Sequence, residues 1–320
     1  MITAKRYIDQ NTQWDSFVSS ANNGTIFHTR RFLSYHPEER FTDHSIIFNK
    51  KGKTISVLPA AEISDNGERY LVSHPGASVG SIVVPEDLSF SDSLSIVELL
   101  VSYAKDNGFS GIRLTQPPTI YSNRFSNYID FALQKNGFQY VKREVSSILF
   151  LEDDIETTLS KFKQTHRTAV RKAEKSGVIV KQSDDLESFY SILTENLSIR
   201  HGVQPTHSLE ELKRLKELFP EKIELFCAFV EENMVAGVVN FIANGNVVLA
   251  FYISHDEDYQ ELRPINLLFY KIFEWAIEHE YSIFDFGTFT VNEEPNMGLA
   301  RFKENFGASG QFRDTLELKL

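Results

Sequence analysis

Cysteine is nearly missing: Cys227 stands alone among 320 residues, which excludes an intrachain disulfide and a thiolate metal cluster. It sits in ELFCAFVEE with apolar neighbours, the setting of a small buried hydrophobe in a strand. Long apolar runs are missing too. None approaches the ~18 residues of a membrane-spanning helix, and MITAKRYIDQ has no apolar stretch of the signal-peptide kind, so the expectation is a soluble cytoplasmic protein. Positive charge is in deficit, with 33 Lys+Arg against 44 Asp+Glu and a net charge of −11. That balance argues against broad binding to DNA or other phosphate backbones. The nine histidines are scattered without a His-x-x-x-His pair, so no metal is expected. There is also no Gly-x-Ser-x-Gly elbow and no Gly-x-x-x-x-Gly-Lys phosphate loop.

What is present is ordinary globular material, with 26 Phe and 12 Tyr to bury. The length favours two domains or one large unit. Short apolar runs alternate with amphipathic ones, which predicts an α/β protein. Strands are expected at HSIIF, TISVLPAAEI, RYLVS, GIRLT, VIVKQ, ELFCAFVEE, VAGVVNFI and VVLAFYIS. Helices are expected over 14–21, 94–107, 126–136, 155–176, 185–201, 209–219, 264–279 and 298–306. In the helix from Pro264, Ile265, Leu268, Phe269, Ile272, Phe273 and Ala276 form one apolar stripe.

The chain also resembles itself. YAKDNGFSGIRL from Tyr103 matches WAIEHEYSIFDF from Trp275: an aromatic-Ala pair ends a helix, an aromatic-Ser or Phe-Ser pair opens a linker, and an apolar strand follows. Each is followed by a short helix, FALQKNGF or ARFKENFG, and a closing strand, SSILFLE or DTLELKL. The junction is expected near LEDDIETTLS, dividing the chain into 1–153 and 154–320. In this alignment Asp285 falls on Arg113.

This doubled plan resembles the GNAT acyltransferase fold used twice, as in Fem-like and related two-domain acyltransferases. FKQTHRTAVRKAEKSGVIV, RHGVQPTHSLEEL, FDFGTF and GLARFKENFG carry the likeness, with a weaker match in GTIFHTRRFLSYHP. The resemblance implies two tandem GNAT-like domains, each a central mixed sheet flanked by helices. The first lacks a donor site and walls the acceptor cleft.

It further implies that VVLAFYISHDED splays from SIFDFGTF to admit the thioester arm of acyl-CoA, with Ala250, Phe251, Ile253 and Ser254 along the donor edge and exposed N–H groups for the thioester oxygen. Arg263, Ile265 and Asn266 open a helix whose N-terminus meets an anion, and Lys303 adds charge for a donor phosphate. The sequence ELRPIN stands where many relatives carry a glycine loop.

Candidate chemistry falls to His207, Tyr252 and Asp285. His207 is a general-base candidate in the RHGVQPTHS loop, and Tyr252 a hydroxyl at the departing thiolate. Asp285 has two open readings: a brace for the Gly287 turn, or an orienting group or proton acceptor at the amine. Substrate contacts are assigned to His28, Arg31, His74, Arg167, Arg200, Asn240 and Thr288. Arg167 shares a basic helix face with Arg171 and Lys175. The implied reaction is acyl transfer from acyl-CoA to a small amine, a nucleotide-linked amino sugar for surface polysaccharide. The alternatives are Fem-like transfer from aminoacyl-tRNA to a peptidoglycan precursor, and a non-catalytic binding protein.

Overall fold

The computed structural model describes residues 1–8, 13–201 and 204–320, and for 199–201 the backbone alone. Its residues group into two compact units, Met1–Glu144 with Phe312–Leu320, and Val145–Gln311.

The first unit contains β1 (Ile2–Arg6), α1 (Gln13–Ser20), α2 (Arg30–Leu33), β2 (Thr42–Asp43), β3 (Ile46–Lys50), β4 (Lys53–Leu58), β5 (Ala60–Asp65), β6 (Glu68–Ser73), α3 (Phe90–Asp106), β7 (Gly111–Thr115), α4 (Tyr128–Lys135) and the start of β8 (Gln139–Phe150). In the second are α5 (Ile155–Ser160), α6 (Gln164–Lys175), β9 (Val178–Gln182), α7 (Leu186–His201), α8 (Leu209–Leu218), β10 (Ile223–Val230), β11 (Asn233–Ile242), β12 (Val247–His255), α9 (Pro264–Glu278), β13 (Ile283–Thr288), β14 (Thr290–Val291), β15 (Glu294–Pro295) and α10 (Met297–Glu304). The last strand, β16 (Ser309–Lys319), completes the chain.

Two differences from the sequence reading have identifiable causes. TISVLPAAEI is two strands, because Pro59 has no N–H for a ladder. β4 pairs with β3, while β5 pairs with β2 and β6. The helix expected over 155–176 is likewise two. Phe162 is buried between them, and Lys163 adopts extended φ −60°, ψ 149° as the N-cap of α6, its N–H donating to Asn305 O at 2.8 Å.

The internal repeat is visible in the pairing. In the first unit β6 runs parallel to β7 through Tyr70↔Gly111, Leu71↔Ile112 and Val72↔Arg113. In the second, β12 runs parallel to β13 through Val247↔Ile283, Val248↔Phe284 and Leu249↔Asp285. Arg113 and Asp285 therefore occupy the same place, the third and last pair. Each parallel strand has an antiparallel neighbour on its other side: β7 takes Thr315–Lys319, and β13 takes Ser146–Phe150. The strand that ends the sequence thus belongs with the first unit, whereas the division after residue 153 keeps it with the second.

In each unit the strands pair both parallel and antiparallel, as the tandem GNAT-like reading expects. The second unit's core lies between β10–β13 and the helices α6, α9 and α10. All six stripe residues of α9 are buried there. Phe162, Phe269, Phe273, Phe284, Phe286 and Phe306 meet mostly edge to face, for example Phe273–Phe284 at 4.9 Å and 76°, the arrangement aromatic quadrupoles favour. No helix among the described residues is long and apolar enough to cross a membrane.

Candidate active site: a splayed strand pair and its cleft

The parallel ladder between β12 and β13 stops at Leu249↔Asp285. On β12 the cause is a bulge: Ala250 pairs with Asn240 and Tyr252 with Val239, so Phe251 is the extra residue. The bulge brings two successive rings, Phe251 and Tyr252, to His207, at 5.1 and 5.9 Å. On β13 the register against β8 also shifts, between Asp285 and Thr288. Both strands depart from regular pairing at the level where a GNAT-like site opens.

Fixed contacts hold the tail of β13. Asp285 is fully buried, and its Oδ1 accepts the N–H of Gly287 at 2.6 Å. Gly287 has φ +75°, a conformation that penalises any residue with a Cβ. Lys303 is 1% exposed, and its Nζ donates to Gly287 O at 2.8 Å and Thr288 O at 2.9 Å. Two bonds to carbonyls give this ammonium a bracing position. It is not among the residues lining the cleft described next.

That cleft, of about 620 Å³, lies in the second unit. Arg263, Pro264, Ile265 and Asn266 supply its floor at the N-terminus of α9; Ile253 and His255 come from β12, Asn196 from α7, His166 from α6, and Asn296, Leu299 and Phe302 from α10 and its cap. Arg263 is left-handed (φ 61°, ψ 40°), and Pro264 fills the first helical position, where a missing N–H costs nothing. Asn266 is 7% exposed, and its Nδ2 has no partner among the described residues. A buried amide donor at the positive end of a helix suits an acceptor-rich or anionic group. The apolar wall of Ile253, Ile265, Leu299 and Phe302 suits a flexible arm, so these residues fit an acyl-CoA donor.

On β12 beside the bulge, the Tyr252 hydroxyl accepts the His207 N–H at 3.0 Å and lies 2.9 Å from His207 Nδ1. Burial pushes the phenol up to about 12. Tyr190 donates to His207 O at 3.1 Å, so the loop carrying His207 is tied down at its backbone as well as its ring.

The remaining candidates are dispersed. Ala250 is packed in the core, and Ser254 donates to Ile192 O at 3.3 Å. Asn240 is fully buried opposite Ala250, with Oδ1 unpartnered among the described residues. Arg167 is half-buried on α6. The side chain of Arg200 lies outside the described residues. In the first unit, His28 is fully buried between Thr25, whose N–H its Nδ1 accepts at 3.0 Å, and Gly80 O, 2.8 Å from its Nε2. Burial lowers it to about 4, so the ring's position is structural. His74 is buried against His36 and held at about 4 by that burial. Arg31 is exposed, its backbone N–H donating to Asp15.

Sequence reasoning placed His166 only with the basic residues of α6, and missed Asn196, Asn296 and Leu299 as cleft residues. His166 had one usable signal: it lies one residue before the Arg167 stripe, on the adjoining face.

Residues 160–304 match the family described as Acetyltransferase (GNAT) domain. No curated protein sequence matches the chain. Among solved structures, FemX is similar over 99% of this chain and 97% of its own, at 15% identity and a TM-score of 0.75. The L-PGS structure from Bacillus licheniformis is similar over 96% and 91%, at 15% identity and 0.59. A tandem GNAT protein of the clavulanic acid biosynthesis pathway is similar over 100% and 98%, at 10% identity and 0.54. The chain therefore has the tandem GNAT fold, and its residues 160–304 are similar to the GNAT acetyltransferase domain.

Proposed function

We propose that this protein is an N-acyltransferase that moves an acyl group from acyl-CoA to the amino group of a nucleotide-linked amino sugar, for surface polysaccharide. The observation that carries the reading is the end of the β12–β13 ladder at Leu249↔Asp285 beside a cleft floored by the N-terminus of α9. The thioester carbonyl lies along Ala250–Ser254 in this reading. The amine nitrogen attacks it, the C–N bond forms, the C–S bond breaks, and thiolate leaves while the ammonium loses a proton.

Each local group has a part. Backbone N–H groups at the bulge meet the developing oxyanion. Tyr252 serves the thiolate as a hydrogen-bond donor only: giving up its proton at about 12 to a thiolate of ordinary basicity is uphill by roughly 5 kcal/mol. His207 takes the amine proton, its ring aligned by Tyr252. Asp285 and Lys303 position the tail of β13.

A second reading, Fem-like aminoacyl transfer from charged tRNA, is favoured by the likeness to FemX over nearly the whole chain and by ELRPIN in place of a glycine loop. Mass spectrometry of nucleotide amino sugars and peptidoglycan precursors after incubation with short-chain acyl-CoAs and, in parallel, with charged tRNA separates the two. An acylated nucleotide amino sugar supports the first; aminoacyl transfer to a peptidoglycan precursor with no acylated sugar overturns it.

A further inference from the structure

The N-terminus of α9 has a weakness as an anion site. Pro264 contributes no N–H, and no glycine loop precedes it, so backbone donors are fewer than usual there. Side chains stand in their place. Asn266 lines the cleft, and its Nδ2, a pure donor, is buried without a partner among the described residues. Arg263 adds a guanidinium. The third is His166 from α6, whose Nε2 is buried without a partner among the described residues. Its ring is seated edge-on against Phe306 at 4.5 Å and beside Phe302 at 5.6 Å, so the imidazole is oriented by packing.

We infer that His166 is a donor-binding residue: with Asn266 Nδ2 and the Arg263 guanidinium, its Nε2–H grips a phosphate oxygen of the donor at the N-terminus of α9. The inference rests on the acyltransferase reading and assigns that site a side-chain cradle in place of a backbone loop. Burial and the nearby Arg263 charge hold His166 at about 4, so the free ring is neutral near pH 7 and binds as a dipolar donor. A phosphate can come from CoA or from the 3′ end of a tRNA, and the probes must tell these apart.

The test is calorimetric titration of the full chain with inorganic pyrophosphate, CoA, pantetheine and a short RNA ending in CCA. His166→Phe keeps the ring packing and removes both nitrogens; His166→Gln returns a donor. The expected result is about tenfold weaker binding of pyrophosphate and of the preferred donor in His166→Phe, recovery to within about threefold in His166→Gln, and unchanged pantetheine binding. Asn266→Asp, which sets a negative charge in the cradle, weakens pyrophosphate as well. Equal pyrophosphate affinity in wild type and His166→Phe overturns the inference. A wild type that binds pyrophosphate and the RNA but not CoA keeps the inference and overturns the acyl-CoA reading. One that binds none of the phosphate probes overturns both.

Discussion

Asp285 Oδ1 lies 2.6 Å from the amide nitrogen of Gly287, so the carboxylate serves the turn that ends β13. Removing it leaves a buried N–H unpaired, at about 1–3 kcal/mol. Asp285→Ala is expected to lose turnover and to lower the melting temperature by several degrees together, checked by parallel activity and thermal-unfolding measurements. A large loss of turnover with unchanged melting would instead make Asp285 a group that meets the substrate.

Lys303 makes the opposite claim about a charge. Its Nζ sits on Gly287 O and Thr288 O, and Lys303→Met strands both carbonyls. A destabilisation of roughly 2–5 kcal/mol is expected, with CoA affinity preserved under conditions where the variant is folded. Calorimetry showing lost CoA affinity at unchanged stability would return Lys303 to the donor-phosphate role.

Tyr252→Phe removes the partner of the His207 N–H and ring. The expected effect is on kcat, at least tenfold, with little change in the KM for the donor. Steady-state kinetics decide it, and a rise in KM alone would place Tyr252 in binding.

The buried histidines set an acid limb. His28, held at about 4, refuses a proton that the unfolded chain takes up near 6.5. Stability is therefore lost as pH falls from about 6.5 to 4, by up to roughly 3 kcal/mol from this group. Glu62, lowered to about 2 chiefly by its hydrogen bond from Arg69, acts in a lower window, from about 4.5 downward. NMR titration should find the His28 ring neutral down to about pH 5; titration near 6.5 would contradict the burial argument.

Much of this was legible in the residues because it is local. The α9 stripe follows from 3.6-residue spacing, and the equivalence of Arg113 and Asp285 followed from the repeat and reappears in the pairing. The possible brace at Gly287 was visible from two residues away. Long-range contacts were not legible. Nothing near Lys303 announces the carbonyls of Gly287 and Thr288, nothing near Lys163 announces Asn305 O, and the residence of Phe312–Leu320 in the first unit depends on a partner strand some 200 residues earlier. His166 looked like one more polar position on a basic helix, because the rings it packs against, Phe302 and Phe306, lie more than 130 residues later in the chain.

The central claim is that the cleft of the second unit holds an acyl thioester for transfer to an amine. The most direct measurement is free-thiol release by the full chain over a panel of acyl-CoAs, with and without nucleotide-linked amino sugars. Thiol is expected only when an amino sugar is present, with that release lost in Tyr252→Phe. No thiol from any pair, with turnover of aminoacyl-tRNA by the same preparation, would contradict it.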